Sequence, residues 1–226
     1  MQKTFFAFVF ALASLCLAAQ TPDNLMVSGG GRGQFCSTTS GLAKAWWQKG
    51  NDHFMSGDLE DAVVFFRKSA EADSNFCDPC HGLSIAYASL QKLDSAEFFS
   101  RRAFALNQSD RLKFNLATTL GMRSKYDEAI PLLEQLLKTE FQKATVHQSL
   151  AQMYLFRERF DEAIAQAEAS LALCEKTDPV AAATDYLIIG SAWLWQQKPE
   201  QAKPFLEKAI ALGANVPESY RKAAGM

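Results

Sequence analysis

The sequence lacks any strong excess of charge, glycine, proline or cysteine. Its 226 residues include 23 Lys+Arg and 25 Asp+Glu, a net charge of −2, so we expect no basic surface for nucleic acid. Only 12 glycines and 7 prolines exclude a collagen-like or wholly disordered chain. The 5 cysteines are too few for a disulfide scaffold that replaces a core. The composition therefore predicts an ordinary folded chain with no nucleic acid partner.

The first 19 residues have the layout of a secretory signal peptide. One positive charge within Met1–Lys3 precedes about fourteen mostly apolar residues and the small residues that end at Ala19. This run is too short for the ~30 Å hydrocarbon core of a membrane, and no later stretch is long enough either. Cys16 keeps acylation open as an alternative, although Leu15 stands where a lipoprotein signal has a small residue. We expect an exported protein, periplasmic, envelope-associated or secreted from a bacterium, with no membrane span in the mature chain.

Residues 20–41 have neither the period of a strand nor that of a helix, which predicts a flexible leader. The glycine cluster at Gly29–Gly33 lacks the Lys-Ser/Thr pair that a phosphate-binding loop needs. We therefore expect no phosphate site in the leader.

From residue 42 onward, apolar residues recur at helical spacing, and short breaks separate the segments. Five alanines that follow similar acidic turns lie 34, 33, 34 and 39 residues apart: Ala62, Ala96, Ala129, Ala163 and Ala202. A small residue stands twelve positions before each of them, where two helices of a hairpin are expected to cross closely: Gly50, Ser84, Ala117, Ala151 and Gly190. A repeat of this length is typical of a solenoid built from helical hairpins.

The segment from Ala45 to Asn75 resembles the tetratricopeptide repeat, and so does the last unit, from Tyr186 to Leu212. The matching positions in the first unit include the early Trp, Gly50, Gly57, Ala62 and Phe66. The resemblance implies an all-α, right-handed α-solenoid with a C-terminal capping helix. Its five hairpins would span residues 43–76, 77–109, 110–143, 144–177 and 183–215, with the cap at 216–224. The departures from the repeat pattern are Lys49, Ser100 and extra residues before Ala183.

The resemblance also implies a non-catalytic module that binds a protein or peptide partner in a groove, with no cofactor and no metal. The first helix of each hairpin would line this groove. The residues expected to contact the partner are Trp47, Asn51, Phe54, His81, Ile85, Phe114, Thr118, Gln148, Gln152, Leu155, Leu187 and Leu194. Some relatives clamp a terminal carboxylate, but Trp47 occupies the place of their first Lys, so that activity is not carried over. The alternative for the apolar members of this set is packing against the leader or a neighbouring helix.

The sharpest chemical motif is Cys77-Asp78-Pro79-Cys80-His81, whose spacing is that of c-type haem attachment. Because no second iron ligand is identifiable, a haem or thiol redox protein is kept only as the alternative function. The competing interpretation is a structural disulfide: Cys36 with Cys77, Cys36 with Cys80, or Cys77 with Cys80. Cys174 has no obvious partner and is expected to be a small buried apolar residue.

Overall fold

The computed structural model describes residues 36–226, which contain eleven helices and no strand. The expected signal peptide and most of the expected leader lie outside the described residues. The helices are α1 (Gly41–Met55), α2 (Leu59–Ala72), α3 (Cys77–Ser89), α4 (Leu93–Leu106), α5 (Asp110–Met122), α6 (Tyr126–Leu136), α7 (Lys143–Phe156), α8 (Phe160–Cys174), α9 (Pro179–Trp195), α10 (Pro199–Ala211) and α11 (Glu218–Ala223). The predicted all-α fold is confirmed.

The described residues divide into two compact units, the first ending at Lys125 and the second comprising Tyr126–Met226. In the first unit, α1 packs on α2 and α3 packs on α4, and α5 follows on α4. In the second unit, α7 packs on α8 and α9 packs on α10, and the short α11 lies against α9 and α10. Each unit is therefore a stack of helical hairpins, as the repeat period predicts.

A residue in the left-handed region follows the end of each of the helices α1, α3, α5, α7 and α9. After α1 this residue is Gly57, with φ of 84°, which glycine adopts without steric cost. At the matching places after α3, α5, α7 and α9, φ lies between 57° and 61° at the non-glycine residues Gln91, Ser124, Glu158 and Gln197. In each turn the next N–H donates to a carbonyl five residues back, for example Lys92 N to Tyr87 O at 2.8 Å. This backbone closure sets the turn whether or not glycine is present.

In the hairpins α1–α2 and α9–α10, the helices cross closely at the glycine that the repeat places there. A Cβ added at Gly50 would lie 2.5 Å from Cδ1 of Phe66, and one added at Gly190 would lie 2.5 Å from Cδ2 of Leu206. Both of those apolar side chains are fully buried. The close crossings are confirmed, because no larger side chain fits at either glycine without displacing a core residue.

Ser100, which departs from the repeat pattern, belongs to a buried polar network. The hydroxyls of Ser84 and Ser100 donate to Oδ1 of Asn115 at 3.0 and 2.9 Å, and all three residues are buried. A large apolar side chain at position 100 would leave Asn115 with one donor fewer. The network therefore explains the departure, since buried polar groups need hydrogen-bond partners.

We expect Ser100→Ala to lower the free energy of unfolding by about 1 kcal/mol, because Asn115 loses one of its two hydroxyl donors. Urea unfolding followed by circular dichroism measures the change. Ser149→Ala is the matched control, because the hydroxyl of Ser149 is exposed and bonds only within its own helix. Equal losses in the two variants would contradict a special role for the buried serine.

The other two departures also have structural explanations. The ammonium of Lys49 lies 5.1 Å from the centroid of the Trp46 ring and 5.6 Å from that of Phe65, so its charge is placed over aromatic faces. The extra residues before Ala183 lengthen α9, which has 17 residues. The expected capping helix is present as α11.

Candidate functional site

In the first unit, four of the predicted partner-binding residues are buried: Trp47, Phe54, His81 and Ile85. Trp47 is 7% exposed, and its ring packs edge-on against Phe76 with centroids 5.9 Å apart. Phe54 and Ile85 belong to the same core cluster. In this structure all four side chains pack in the interior. Their contact with a partner stays a prediction, and it requires that they become exposed.

The accessible part of the predicted groove in this unit is a row on α5, which we call the α5 stripe. It consists of Arg111, Phe114, Thr118 and Gly121, all half-buried. Their spacing of three and four residues places them along one side of the helix. The opposite side is buried and carries Leu112, Asn115, Leu116 and Thr119. Predicted residue Asn51 on α1 is also half-buried.

His81, which ends the haem-like motif, is buried beside the α5 stripe. Burial and the charge of Arg111 lower the pKa of His81 to about 4, although a hydrogen bond with Asn115 acts in the opposite direction. The imidazole is therefore neutral at pH 7. His81 is therefore buried between α3 and the residues Arg111 and Asn115 of α5.

Cys36 and Cys77 form a disulfide, with Cα atoms 5.6 Å apart, which confirms one of the pairings left open by the sequence. Beside it, the Cys36 amide donates to Oδ2 of Asp78 at 3.4 Å, and the Thr38 hydroxyl donates to Oδ2 of Asp73 at 2.6 Å. These contacts fix residues 36–38 to the start of α3 and to the turn that precedes it. Haem attachment at the motif requires two thiols, and Cys77 is already bonded to Cys36.

Residues 36–226 contain no group of three or more His, Cys, Asp or Glu side chains that could hold a metal ion. Cys80 and Cys174 are free and buried. Burial raises the pKa of the Cys80 thiol, and the charge of Arg102 offsets part of this effect.

In the second unit the predicted partner-binding residues divide in the same way. Leu155 and Leu187 are buried, whereas Gln148, Gln152 and Leu194 are half-buried. The Gln148 amide nitrogen donates to the carbonyl of Ala181 and to Oδ1 of Asp185, both at 3.0 Å. Gln148 therefore joins α7 to α9.

Asp185 is a fully buried carboxyl that sequence reasoning missed. It accepts the Gln148 amide, and the thiol of Cys174 donates to its Oδ2 at 3.7 Å. Burial raises the pKa of Asp185 to about 6 in spite of these hydrogen bonds. An acidic residue inside an otherwise apolar helix was the available signal.

Glu97 is a second buried carboxyl, held by three cations of the first unit. Its oxygens accept from Arg101 at 2.9 Å, Arg123 at 2.6 Å and Lys125 at 2.8 Å. Burial alone would raise the pKa of Glu97, but the bonds from Lys125 and Arg101 outweigh it and lower the pKa to about 2. Such a saturated cluster is structural, since every charge has a partner.

A cavity of about 350 Å³ opens between α2 and α4, with Leu83 of α3 among its lining residues. Arg67 and Arg102 also line it, and Nε and Nη2 of Arg67 donate to the Tyr87 hydroxyl at 3.0 and 2.7 Å.

Among the described helices, none is long and apolar enough to cross a membrane.

Comparison with known proteins agrees with this architecture. Residues 148–177 match the sequence profile of the tetratricopeptide repeat. MamA from Desulfovibrio magneticus RS-1 is 17% identical, with 77% of this chain and 97% of that chain covered and a TM-score of 0.69. PilF of Pseudomonas aeruginosa is 19% identical, with 81% and 87% covered and a TM-score of 0.65.

YrrB, described as a TPR protein with an unusual peptide-binding site, is 20% identical, with 81% of this chain and 91% of that chain covered and a TM-score of 0.64. No curated protein matches the chain. Identities at this level show the fold alone. The structural similarity confirms the predicted fold class, an α-solenoid of tetratricopeptide type. Residues 148–177 carry a repeat that the sequence profile recognises.

Proposed function

We propose that the chain is an exported tetratricopeptide repeat protein that binds a protein or peptide partner without catalysis. The observation that carries the proposal is the α5 stripe, where Phe114 and Arg111 lie half-exposed on the first helix of a hairpin. Aromatic and arginine side chains contribute most of the binding energy at protein interfaces. A fold shared with YrrB, whose description includes a peptide-binding site, supports a peptide or protein rather than nucleic acid as the partner.

The proposed contact is a partner segment whose apolar side chain packs on the Phe114 ring. The Thr118 hydroxyl donates to the carbonyl of Asn115 at 3.0 Å within its own helix, so Thr118 offers the partner mainly its methyl group. Asn51 on α1 supplies a half-exposed amide for a hydrogen bond to the partner. Gln152 and Leu194 of the second unit are proposed as further contacts of the same kind.

Phe114→Ala should weaken partner binding at least tenfold, which corresponds to about 1.4 kcal/mol. The partner is captured from the exporting compartment with the unmodified chain, identified by mass spectrometry, and titrated by calorimetry. Phe98→Ala is the matched control, because Phe98 is 60% exposed on α4, a second helix of the same unit. The proposal fails if Phe114→Ala binds as the unmodified chain does, or if both variants lose affinity equally while their circular dichroism is unchanged.

Export is supported by the layout of residues 1–19 and by the Cys36–Cys77 disulfide, a type of bond that persists mainly in oxidising compartments. N-terminal sequencing of the protein from the periplasmic or secreted fraction should give a start close to Gln20. A cytoplasmic protein that retains Met1 would contradict export and leave the binding proposal standing.

A further inference from the structure

Three cysteines of the first unit meet at the start of α3. Cys77 and Cys80 are fully buried and pack with Ala103 and Leu112, and Cys36 packs against the same cluster. Two of the three are bonded to each other, and Cys80 is a free thiol. A free thiol and a disulfide therefore share one small apolar site.

Cys77 is within bonding reach of two cysteines. Its Cα lies 5.6 Å from that of Cys36, and Cys80 is three residues further along the same helix. Helix geometry sets Cα atoms three residues apart at about 5 Å and places their side chains on one face. Both separations fall within the range that disulfides span, roughly 4.4–6.8 Å between Cα atoms.

We propose that this cluster is a thiol–disulfide exchange site in which Cys77 changes its partner from Cys36 to Cys80. The Cys80 thiolate attacks Sγ of Cys77, and the bond between Cys77 and Cys36 breaks. The electron pair leaves on Sγ of Cys36, which takes up the proton that Cys80 released. One disulfide is lost and one is formed, so the step consumes no oxidant and no reductant.

The surroundings suit both ends of this step. Burial raises the pKa of the Cys80 thiol, but the charge of Arg102 and the free N–H groups in the first turn of α3, where Cys77 and Cys80 lie, favour its thiolate. Pro79 lies in the same turn, where a missing N–H costs no helical hydrogen bond. The Asn107 side-chain nitrogen donates to Sγ of Cys36 at 3.5 Å, a contact that stabilises the leaving thiolate. Because Cys36 packs against the cluster that holds Cys77 and Cys80, the exchange itself needs no outside thiol.

The two isomers hold the chain differently. The Cys36–Cys77 bond has a sequence separation of 41 and ties the residues before α1 to the start of α3. A Cys77–Cys80 bond lies within a single turn of α3 and connects α3 to no other segment. Exchange therefore releases Cys36 and loosens the attachment of residues 36–40 to α3, without net reduction of the protein.

Mapping the free thiol in the full chain tests the exchange, in a Cys174→Ala background that removes the fourth thiol. The protein is equilibrated in a glutathione buffer, quenched with acid, labelled with N-ethylmaleimide and digested with trypsin. Cys36 falls on one tryptic peptide, residues 33–44, and Cys77 and Cys80 share another, residues 69–92. Dilute acid cleaves the Asp78–Pro79 bond and separates the two cysteines of the shared peptide.

We expect two species with one disulfide: one labelled only on Cys80, and one labelled only on Cys36 with the halves of peptide 69–92 still joined after acid cleavage. Cys80→Ser should abolish the second species. Cys36→Ser should form the Cys77–Cys80 bond under the same buffer. The proposal is overturned if no species labelled only on Cys36 appears in the Cys174→Ala chain. This readout decides the matter even if Cys36→Ser fails to fold.

Discussion

Phe66→Ala should lower the free energy of unfolding by about 3–5 kcal/mol, because the ring of Phe66 is fully buried. The ring lies between two glycines of neighbouring hairpins, Gly50 on α1 and Gly82 on α3. A Cβ at Gly50 would lie 2.5 Å from the ring, and one at Gly82 would lie 2.7 Å from it. The aromatic side chain therefore fills space that both helices leave open.

Gly50→Ala separates this fit from hydrophobicity alone. In the unmodified chain it should lower stability by about 1–2 kcal/mol through overpacking, even though alanine favours a helix by roughly 1 kcal/mol over glycine. In the Phe66→Ala background the added methyl group enters the vacated space, so Gly50→Ala should then be neutral or stabilising. The coupling between the two positions should exceed about 1 kcal/mol.

Urea unfolding of the unmodified chain, the two single variants and the double variant gives this coupling. Gly41→Ala is the control, because Gly41 begins the same helix and no atom lies within 4 Å of an added Cβ. It should leave stability unchanged or raise it. Additive effects of Gly50→Ala and Phe66→Ala would show that the glycine is not required by the ring.

The repeat made the fold predictable from the sequence. A small residue at the place of Gly50 and an alanine at the place of Ala62 recur at a fixed period, because each repeat meets the same geometric problem, the close crossing of two helices. That problem is local, within about 34 residues, so it leaves a signal in the sequence. Ser100 shows what the repeat cannot predict. A serine is needed there because its hydroxyl bonds Asn115 on α5, a contact that the repeat period does not indicate.

The candidate site was less predictable from the sequence. The position of a residue in the repeat indicates which face of the helix it lies on, but it does not indicate whether that face is exposed to solvent. Trp47 and Phe54 were assigned to the groove, and the structure buries both. His81 was assigned to the groove as well, but every residue of α3 from Cys77 to Tyr87 is buried. The contacts that make this tolerable, such as the Cys36 amide to Asp78, join residues 42 positions apart.

The disulfide illustrates the same limit on a chemical question. The sequence allowed Cys77 to pair with Cys36 or with Cys80, since both distances are feasible once hairpins stack. The structure selects Cys36 and leaves the second possibility one helical turn away. What the sequence could not provide was the position of Cys36, which is fixed by contacts from Asp78 and Asn107.

Asp185 should make the second unit more stable in mild acid than at neutral pH. Burial raises its pKa from 3.8 to about 6, and the hydrogen bonds from Ser170, Gln148 and Cys174 offset only part of this effect. The nearby charge of Asp178 raises the pKa further. Because the folded chain holds this proton between about pH 4 and pH 6 and the unfolded chain does not, stability from this group falls as the pH rises through that window. A shift of about two pKa units corresponds to roughly 3 kcal/mol.

Asp185→Asn should therefore raise the free energy of unfolding by about 2–3 kcal/mol at pH 8 and change it little at pH 4. Asparagine has the same shape, carries no charge to desolvate, and keeps an oxygen that accepts the Gln148 amide. Urea unfolding of the variant and the unmodified chain across pH 4–8 gives the difference, in which the titration of all other carboxylates cancels. Asp161→Asn is the matched control, because this carboxyl of the same unit is exposed, and asparagine keeps an oxygen that accepts the Gln196 amide. A gain for Asp185→Asn that is the same at every pH would mean that charge burial at Asp185 is not what limits the stability of the unit.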